Sequence, residues 1–189
     1  MKRTDSEIID VCLQGRTEAF GVLVARYQDR LYNTLVKVLG SADAAQEAAQ
    51  TAFVQAFHRL TTFQGQSAFY SWLFRIALNV AITEKRKQRR MVASVENVQA
   101  TTGHEPIDQR RDNHPSHAME VEESQRLVRQ ALEELPLEHR TMLILKEIEG
   151  LSYEEIAQAC QCPIGTVRSR LHRARQELKE KLKAVMQSL

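Results

Sequence analysis

The sequence contains few cysteines, and their spacing excludes the common cysteine-based metal and redox sites. The three cysteines, Cys12, Cys160 and Cys162, are odd in number and never show the two-residue spacing of a zinc knuckle or a redox pair. We therefore expect reduced thiols, with no cofactor and no metal. His104, His114 and His117 lie together in a polar stretch, where solvated linker residues are a better interpretation than a metal site.

Long hydrophobic runs are also missing from the sequence. No apolar segment approaches the length needed to cross a bilayer. Residues 1–7 lead into an amphipathic pattern and show none of the apolar character of a signal peptide. We therefore expect no membrane insertion and a cytoplasmic location. A chain of 189 residues that is 43% hydrophobic can still bury the cores of one or two domains.

No strand pattern of useful length occurs, whereas helical periodicity is strong. Apolar residues recur every three or four positions from Phe20 to Leu39, in a helix expected to start at Thr17 and end at Gly40. Thr4 is expected to cap a short helix before it, and Ser41 is expected to cap an alanine-rich helix after it. A further helix is expected from Ala68 through Lys87. The fold class is therefore all-α.

Periodicity disappears between about Met91 and His117, and this gap divides the chain. Charge divides in the same way: residues 84–90 carry +4, residues 91–123 carry −5, and residues 163–183 carry +5. We therefore predict two small helical domains, residues 1–91 and 119–189, joined by a flexible acidic linker at residues 92–118. Helical periodicity resumes at Met119 and is interrupted at Pro136.

The stretch from Pro163 to Arg175 has two chemically different faces. Its apolar stripe should face the domain core and comprises Ile164, Val167, Leu171, Ala174 and Leu178. Pro163 suits the first helical position because its missing N–H group costs nothing there. The opposite face is rich in arginine, serine and threonine. These residue types can contact both phosphates and base edges.

A short helix is expected immediately before this basic helix. Ser152 and Glu155 form a capping-box pattern that starts a helix at Tyr153, and Gln161 and Cys162 form a tight turn. Helix, turn and basic helix in this order predict a helix-turn-helix. A helical hairpin with a solvated charged face is the alternative. The density of arginine favours DNA binding.

Aromatic residues make up only 6% of the chain, and seven of the eleven lie between Phe53 and Phe74. We expect Phe53, Phe57, Trp72 and Phe74 to fill the core of the first domain. The rings in the loop before the fourth helix lie beside a basic helix. Such a combination suits a surface that holds unpaired bases.

Four segments together resemble the extracytoplasmic-function (ECF) group of bacterial RNA polymerase sigma factors, in the sigma-70 family. The matching segments, in chain order, are residues 63–79, Leu135-Pro136, residues 149–157 and residues 163–170. The resemblance covers nearly the whole chain. It implies a polymerase specificity subunit with no catalytic residues of its own and no small-molecule substrate. The partners it implies are core RNA polymerase, promoter DNA and an anti-sigma factor.

The resemblance also implies which residues contact each partner. The first domain would recognise the minus-ten promoter element through Phe63, Gln64, Gly65, Gln66, Ser67, Phe69, Tyr70, Trp72, Arg75, Asn79, Lys85 and Arg86. Its loop and Asn79 would hold a base flipped out of the non-template strand. The polymerase clamp would bind Asp43, Gln46, Glu47, Gln50 and Phe53. The second domain would recognise the minus-thirty-five element through Ser152, Tyr153, Thr166, Arg168, Ser169, Arg170, His172 and Arg173.

The sequence departs from the family pattern at three positions. Thr51, in the helix expected to bind the clamp, stands where an acidic residue is common. Gln64 and Gln66, in the loop, stand where arginine and aspartate are frequent. Because these two loop residues differ, the identity of the preferred flipped base stays open.

Two other classes of DNA-binding protein carry similar C-terminal domains. A helix-turn-helix regulator that acts without being a polymerase subunit would have an α/β receiver or a ligand pocket upstream. A serine recombinase would have strands around a nucleophilic serine. The all-helical first domain argues against both.

Overall fold

The computed structural model describes residues 3–95 and 117–187, and every regular element in these ranges is helical. The expected all-α class is confirmed. No helix in the described ranges combines the length and apolar character needed to cross a bilayer. The α-helices are α1 (Asp5–Leu13), α2 (Phe20–Leu39), α3 (Ala42–His58), α4 (Phe69–Val95), α5 (His117–Glu133), α6 (Leu137–Leu143), α7 (Tyr153–Cys160) and α8 (Ile164–Gln187).

Local capping accounts for where the first helices begin and end. Thr4 and Glu7 form the expected capping box at the start of α1, and Ser41 Oγ accepts a hydrogen bond from the Ala44 amide at the start of α3. The expected start of the second helix at Thr17 was wrong by one turn. Thr17–Ala19 forms a 3₁₀ turn with no side-chain cap, and α2 begins at Phe20. Gly40 ends α2 in the left-handed conformation, with φ of 73°.

The fourth helix extends further than expected. It continues to Val95, through residues that the sequence assigns to the linker. Its extension has a local reason, since residues 84–95 contain no proline or glycine and include several strong helix formers. At the other end of the linker, α5 already begins at His117. The remainder of the predicted linker, residues 96–116, lies outside the described residues, as do His104 and His114.

The first domain is formed by α1–α4. Small residues on α3 allow it to cross α2 and α4 closely, as its composition predicts. Those buried alanines are Ala45, Ala48, Ala49, Ala52 and Ala56. Leu23, Leu31 and Leu35 of α2 and Phe74 of α4 are completely buried against them. This packing fixes the direction of α4, which carries most of the predicted minus-ten residues.

The second domain is formed by α5–α8. Its core contains Met142, Ile144, Ile156 and Leu171, each at most 1% exposed. After α6, residues Ile144–Ile148 form a π-helix that the sequence did not predict. Ile144 and Leu145 are buried, whereas Ile148, which continues the apolar spacing of the sequence four residues after Ile144, is exposed.

The two domains pack against each other. Helix α4 contacts α7, and α2 contacts both α6 and the π-helix. The buried residues of both domains consequently form one continuous apolar cluster. The sequence predicts two domains but gives no sign of this contact between them.

Candidate nucleic-acid interface

Helices α7 and α8 form the predicted helix-turn-helix. The Ser152 and Glu155 capping box starts α7, with Glu155 Oε2 accepting from the Ser152 amide at 2.8 Å. Gln161 ends α7 in the left-handed conformation at φ of 50°. Helix α8 begins at Ile164, one residue after the expected position, and the Pro163 carbonyl accepts hydrogen bonds from the amides of Thr166 and Val167.

The inward stripe of α8 is confirmed except at its first member. Val167, Leu171 and Ala174 are buried and Leu178 is partly buried. Ile164 is 37% exposed, so its predicted place in the core was wrong. Its position at the first turn explains this result, because the chain is still entering from the exposed turn at Pro163.

Most of the basic face of α8 is accessible. Arg168, Ser169, His172 and Arg173 are exposed. Thr166 is half-buried, and its carbonyl accepts a hydrogen bond from Ser169 Oγ at 3.1 Å. This surface presents arginine forks and hydroxyl groups on a single rigid helix, an arrangement that can enter a major groove.

Arg170 differs from its neighbours on α8. Its guanidinium lies 2.8 Å from a carboxylate oxygen of Glu138, in the first turn of α6. The arginine is therefore half-buried and held against its own domain. Among the basic residues predicted to contact the minus-thirty-five element, Arg170 is the one that pairs with a carboxylate in the described parts of the chain, and Arg175 and Lys181 further along α8 pair with Glu147 and Glu134.

The two predicted residues at the start of α7 have structural roles. Ser152 is the cap of the helix, since its Oγ accepts from the Glu155 amide at 3.1 Å. Tyr153 is half-buried, with the Lys146 ammonium 5.2 Å from its ring centroid. Both residues lie at the helix N-terminus, where backbone amides and the helix dipole favour a phosphate.

The surroundings of Cys160, at the end of α7, and of Cys162, in the turn, disfavour the thiolate form. Burial raises the pKa of Cys160 to about 12, and burial also raises the pKa of Cys162. Both thiols are therefore protonated at neutral pH. Among the described residues no group of three or more histidine, cysteine or acidic side chains could hold a metal ion.

The loop that precedes α4 presents polar groups to solvent. Gln64, Gly65 and Gln66 are exposed, while Phe63 and Ser67 are half-buried. Gly65 adopts a φ of 69°, which a side chain would strain, and a Cβ added there would meet no atom within 4 Å. The space beside Gly65 is thus open.

Aromatic rings support this loop from beneath. The Phe63 ring centroid lies 5.2 Å from that of Trp72 and 5.7 Å from that of Phe69. Phe69, Tyr70 and Trp72 are all less than 10% exposed, so in this arrangement their rings cannot stack on a base. Their direct contact with DNA therefore stays a prediction. Their physical role here is to pack the loop against the core.

Helix α4 places further predicted residues on its accessible side. Arg75, Asn79 and Arg86 are four and seven residues apart and so share one face. Asn79, Lys85 and Arg86 are exposed, and Arg75 is half-buried. This face can offer an amide to a base edge and cations to the backbone.

The predicted clamp residues form a polar stripe on α3. Asp43, Gln46, Glu47 and Gln50 are exposed. Phe53 is only 9% exposed and lies in the core, as its aromatic character predicted, and its contact with the clamp stays a prediction.

Two residues that sequence reasoning did not assign to this surface continue the stripe. Val54 and Phe57 lie on the same face as Glu47 and Gln50 and are 58% and 37% exposed. Phe57 was expected in the core, and it instead lies at the surface in an edge-to-face contact with Phe20, at a centroid distance of 5.2 Å. The sequence did contain a signal for this placement, because Val54 follows Gln50 by four residues and Phe57 follows Val54 by three, the spacing of one helix face.

Each of the two domains matches a known protein family. The family described as Sigma-70 region 2 matches residues 23–91, and Sigma-70 region 4 matches residues 125–178. The RNA polymerase sigma-H factor of Pseudomonas aeruginosa is 37% identical over 96% of this chain and 95% of its own length. The ECF RNA polymerase sigma-E factor of Haemophilus influenzae is 35% identical over 97% of both chains. The chain belongs to the ECF group of sigma-70 family sigma factors.

A solved structure agrees with this membership. The sigma factor RpoE from Bartonella quintana, in complex with the anti-sigma factor NepR, matches with a TM-score of 0.69 and 27% identity. The match covers 87% of this chain and 96% of that one.

Family membership determines the general role of the protein. It is an alternative sigma factor, a polymerase specificity subunit that binds core RNA polymerase and promoter DNA to initiate transcription. A helix-turn-helix regulator that acts without the polymerase is not favoured, because both sigma domains are present in order.

Proposed function

We propose that the exposed face of α8 reads the minus-thirty-five element in the major groove. The observation that carries this assignment is the accessible set of Arg168, Ser169, His172 and Arg173 on one rigid helix, whose other face is anchored in the core. Ser152 and Tyr153 at the start of α7, with Thr166, are placed against the DNA backbone. Arg170 contributes a phosphate contact once it leaves Glu138.

The minus-ten element is assigned to the loop before α4 and to the face of that helix beside it. Gln64, Gly65, Gln66 and Asn79 make the direct base contacts, since their groups are exposed and polar. Arg75, Lys85 and Arg86 neutralise the adjacent backbone, and Phe63 and Ser67 shape the loop. Phe69, Tyr70 and Trp72 hold the loop in position from the core. The flipped base is captured in the open space beside Gly65.

We assign the binding of core polymerase to the polar stripe on α3. Asp43, Gln46, Glu47 and Gln50 supply polar contacts, and Val54 and Phe57 supply the apolar part of the interface. Exposed apolar residues beside a polar stripe are typical of a protein-binding surface. Phe53 supports this helix from the core.

The remaining parts of the role follow from the same assignment. The chain acts in the cytoplasm, where polymerase and promoters are located, and supplies no catalytic residues of its own. An anti-sigma factor regulates it, a proposal supported by the likeness to a sigma factor solved with such a partner. A sequestering partner predicts a threshold when the level of this protein is raised in cells, whereas output proportional to its level would contradict the proposal.

Site-specific crosslinking tests the division between the two DNA elements. A photoreactive amino acid replaces Gln66 or Ser169 in the full chain, which is assembled with core polymerase on a promoter. Gln66 is expected to crosslink to the non-template strand of the minus-ten element, and Ser169 to the minus-thirty-five element. The same group at Asp10, an exposed residue of α1, is the control. Crosslinks from both test positions to one element would refute the assignment.

A further inference from the structure

A cluster of aromatic rings connects the proposed minus-ten loop to the beginning of the chain. The loop starts after Phe63 and ends before Phe69, and the rings of these two residues meet edge to face at a centroid distance of 5.7 Å. Tyr27 of α2 continues the cluster, since its ring centroid lies 5.6 Å from that of Phe69. The Tyr27 ring also stacks on that of Tyr70, at 5.9 Å. The two ends of the loop are therefore held together by rings, and Tyr27 packs against the ring at the second end.

The loop has little hydrogen-bonded support from its own backbone. Within the described ranges, no amide of residues 64–67 donates a hydrogen bond to a backbone carbonyl. A side-chain bond from Gln158 to the Gln66 carbonyl is long, at 3.4 Å. The position of the loop consequently depends strongly on how firmly the rings of Phe63 and Phe69 are held.

A carboxylate of α1 holds the hydroxyl group of Tyr27. This hydroxyl donates a hydrogen bond to Asp5 Oδ2 at 2.5 Å, and Asp5 Oδ1 accepts a hydrogen bond from the guanidinium of Arg26. Burial and the bond to Asp5 raise the pKa of Tyr27 to about 12, so the hydroxyl stays protonated and can donate at neutral pH. A hydrogen bond to an ionised acceptor is stronger than a neutral one. Asp5 therefore restricts the position of the Tyr27 ring.

Asp5 and Tyr27 are outside the surfaces assigned to DNA and to core polymerase. Both residues are half-buried, and their bonded groups meet between α1 and α2. A purely structural role would be to anchor α1 on the domain. Ile8, Ile9 and Cys12 of α1 are buried and already supply such an anchor. Apolar packing is not directional, however, so the hydrogen bond from Tyr27 to Asp5 adds an orientation that these residues do not provide.

We propose that Asp5 and Tyr27 are positioning residues for base capture, and that α1 takes part in promoter opening through them. Asp5 orients the Tyr27 hydroxyl, the Tyr27 ring supports Phe69, and Phe69 closes the loop with Phe63. A pocket that is held in its binding conformation loses less entropy when a base enters it. Loss of this support should therefore weaken binding of the flipped base and spare the other DNA contacts. The inference rests on the proposed capture of a base beside Gly65.

An abasic-site comparison isolates the contribution of one base. The full chain is assembled with core polymerase, and the complex binds a single-stranded non-template oligonucleotide in which each minus-ten nucleotide is replaced in turn by an abasic site. The position with the largest loss of affinity in the wild-type complex marks the captured base. Tyr27→Phe and Asp5→Ala should reduce the ratio of intact to abasic affinity there about three- to tenfold, part of what one hydrogen bond to a charged group contributes. Affinity for the abasic strand should not change.

Two further variants separate positioning from a general loss of stability. Tyr32→Phe makes the same chemical change at a half-buried position five residues along α2, on another side of the helix, and should keep the wild-type ratio. Asp5→Asn keeps an oxygen that can accept from Tyr27 but loses the ion pair with Arg26, and it should retain most of the ratio.

Two results would overturn the proposal. In the first, Tyr27→Phe and Asp5→Ala weaken binding to the intact and abasic strands equally, which would make the pair a structural anchor only. In the second, Asp5→Asn loses as much of the ratio as Asp5→Ala, which would assign the effect to the ion pair with Arg26 and not to Tyr27.

The fluorescence of Trp72 provides a readout that needs no DNA. Trp72 is the single tryptophan of the chain, is 6% exposed, and has its ring centroid 5.2 Å from that of Phe63 and 5.7 Å from that of Phe69. Acrylamide quenching should increase in Tyr27→Phe and Asp5→Ala and stay at the wild-type level in Tyr32→Phe. Unchanged quenching in all three would overturn the proposal. If no abasic site weakened wild-type binding, the proposed base capture would fail, and quenching would still decide whether Asp5 and Tyr27 hold the loop.

Discussion

The guanidinium of Arg170 in the recognition helix is paired with the carboxylate of Glu138 at 2.8 Å. A cation that is already paired attracts phosphate less than a free one, because its own domain supplies the counter-charge. The neighbouring Arg168 and Arg173 are exposed, and neither forms an ion pair within the described ranges. The arginines of α8 therefore differ in what they can offer to DNA.

Arg170→Ala should remove one phosphate contact without changing sequence preference. Cognate and scrambled duplexes should weaken about equally, and the magnitude of the slope of log affinity against log salt should fall by about 0.9. Glu138→Gln should have the opposite effect, tightening both duplexes, because it frees the same cation. A salt series with the full chain measures both variants. A loss confined to the cognate duplex would assign Arg170 to base reading instead.

Arg173→Ala should instead reduce specificity. A bidentate contact from this exposed arginine to a base edge predicts a loss of roughly 1–3 kcal/mol on the cognate duplex, with relaxed preference at one base pair. Binding to a panel of single-base variants of the minus-thirty-five element measures this change. If all duplexes in the panel lose affinity equally, Arg173 holds the backbone, and specificity must come from DNA shape.

Asn79→Ala should slow promoter opening and spare the closed complex. The Asn79 side chain is exposed on α4 and can reach a base only after the duplex has opened. Permanganate reactivity of thymines in the bubble follows opening with time, and gel shift measures closed-complex formation. Asp10→Ala, at an exposed position of α1 outside the proposed minus-ten surface, is a suitable control. Normal opening by Asn79→Ala would contradict the assignment.

Glu47→Lys and Val54→Asp should both weaken binding to core polymerase. The first reverses a charge in the polar stripe of α3, and the second places a charge in its exposed apolar part. Each substitution is expected to cost on the order of 1–3 kcal/mol if the residue lies in the interface core. Fluorescence anisotropy with labelled sigma factor measures the affinity, and Asp10→Lys on α1 serves as the control. Unchanged affinity in both variants would move the contact elsewhere.

Features encoded by neighbouring residues could be predicted from the sequence. The Ser152 and Glu155 capping box depends on contacts three residues apart, so its residues alone indicate where α7 begins. The inward stripe of α8 depends on helical periodicity, which is also a local property. The same pattern does not say how far each residue is covered by a neighbouring helix. For that reason Phe57 and Ile164 were expected in the core and are exposed.

Features that depend on distant residues could not be predicted. Arg30 Nε donates a hydrogen bond to Glu149 Oε2 across 119 positions of sequence, and each reads as an ordinary charged residue in its own helix pattern. The buried positions of Phe69, Tyr70 and Trp72 depend on how α4 packs against the rest of the first domain. Their aromatic character was compatible with both a core and a base-stacking surface, and only tertiary packing distinguishes the two.

Reconstituted transcription tests the central claim most directly. The purified full chain is mixed with core RNA polymerase and a template whose promoter has been selected from a genomic library with the same polymerase. We expect run-off transcripts that require the chain and disappear when either the minus-ten or the minus-thirty-five element is scrambled. Binding of the chain to this DNA without any chain-dependent transcription would contradict its assignment as a sigma factor.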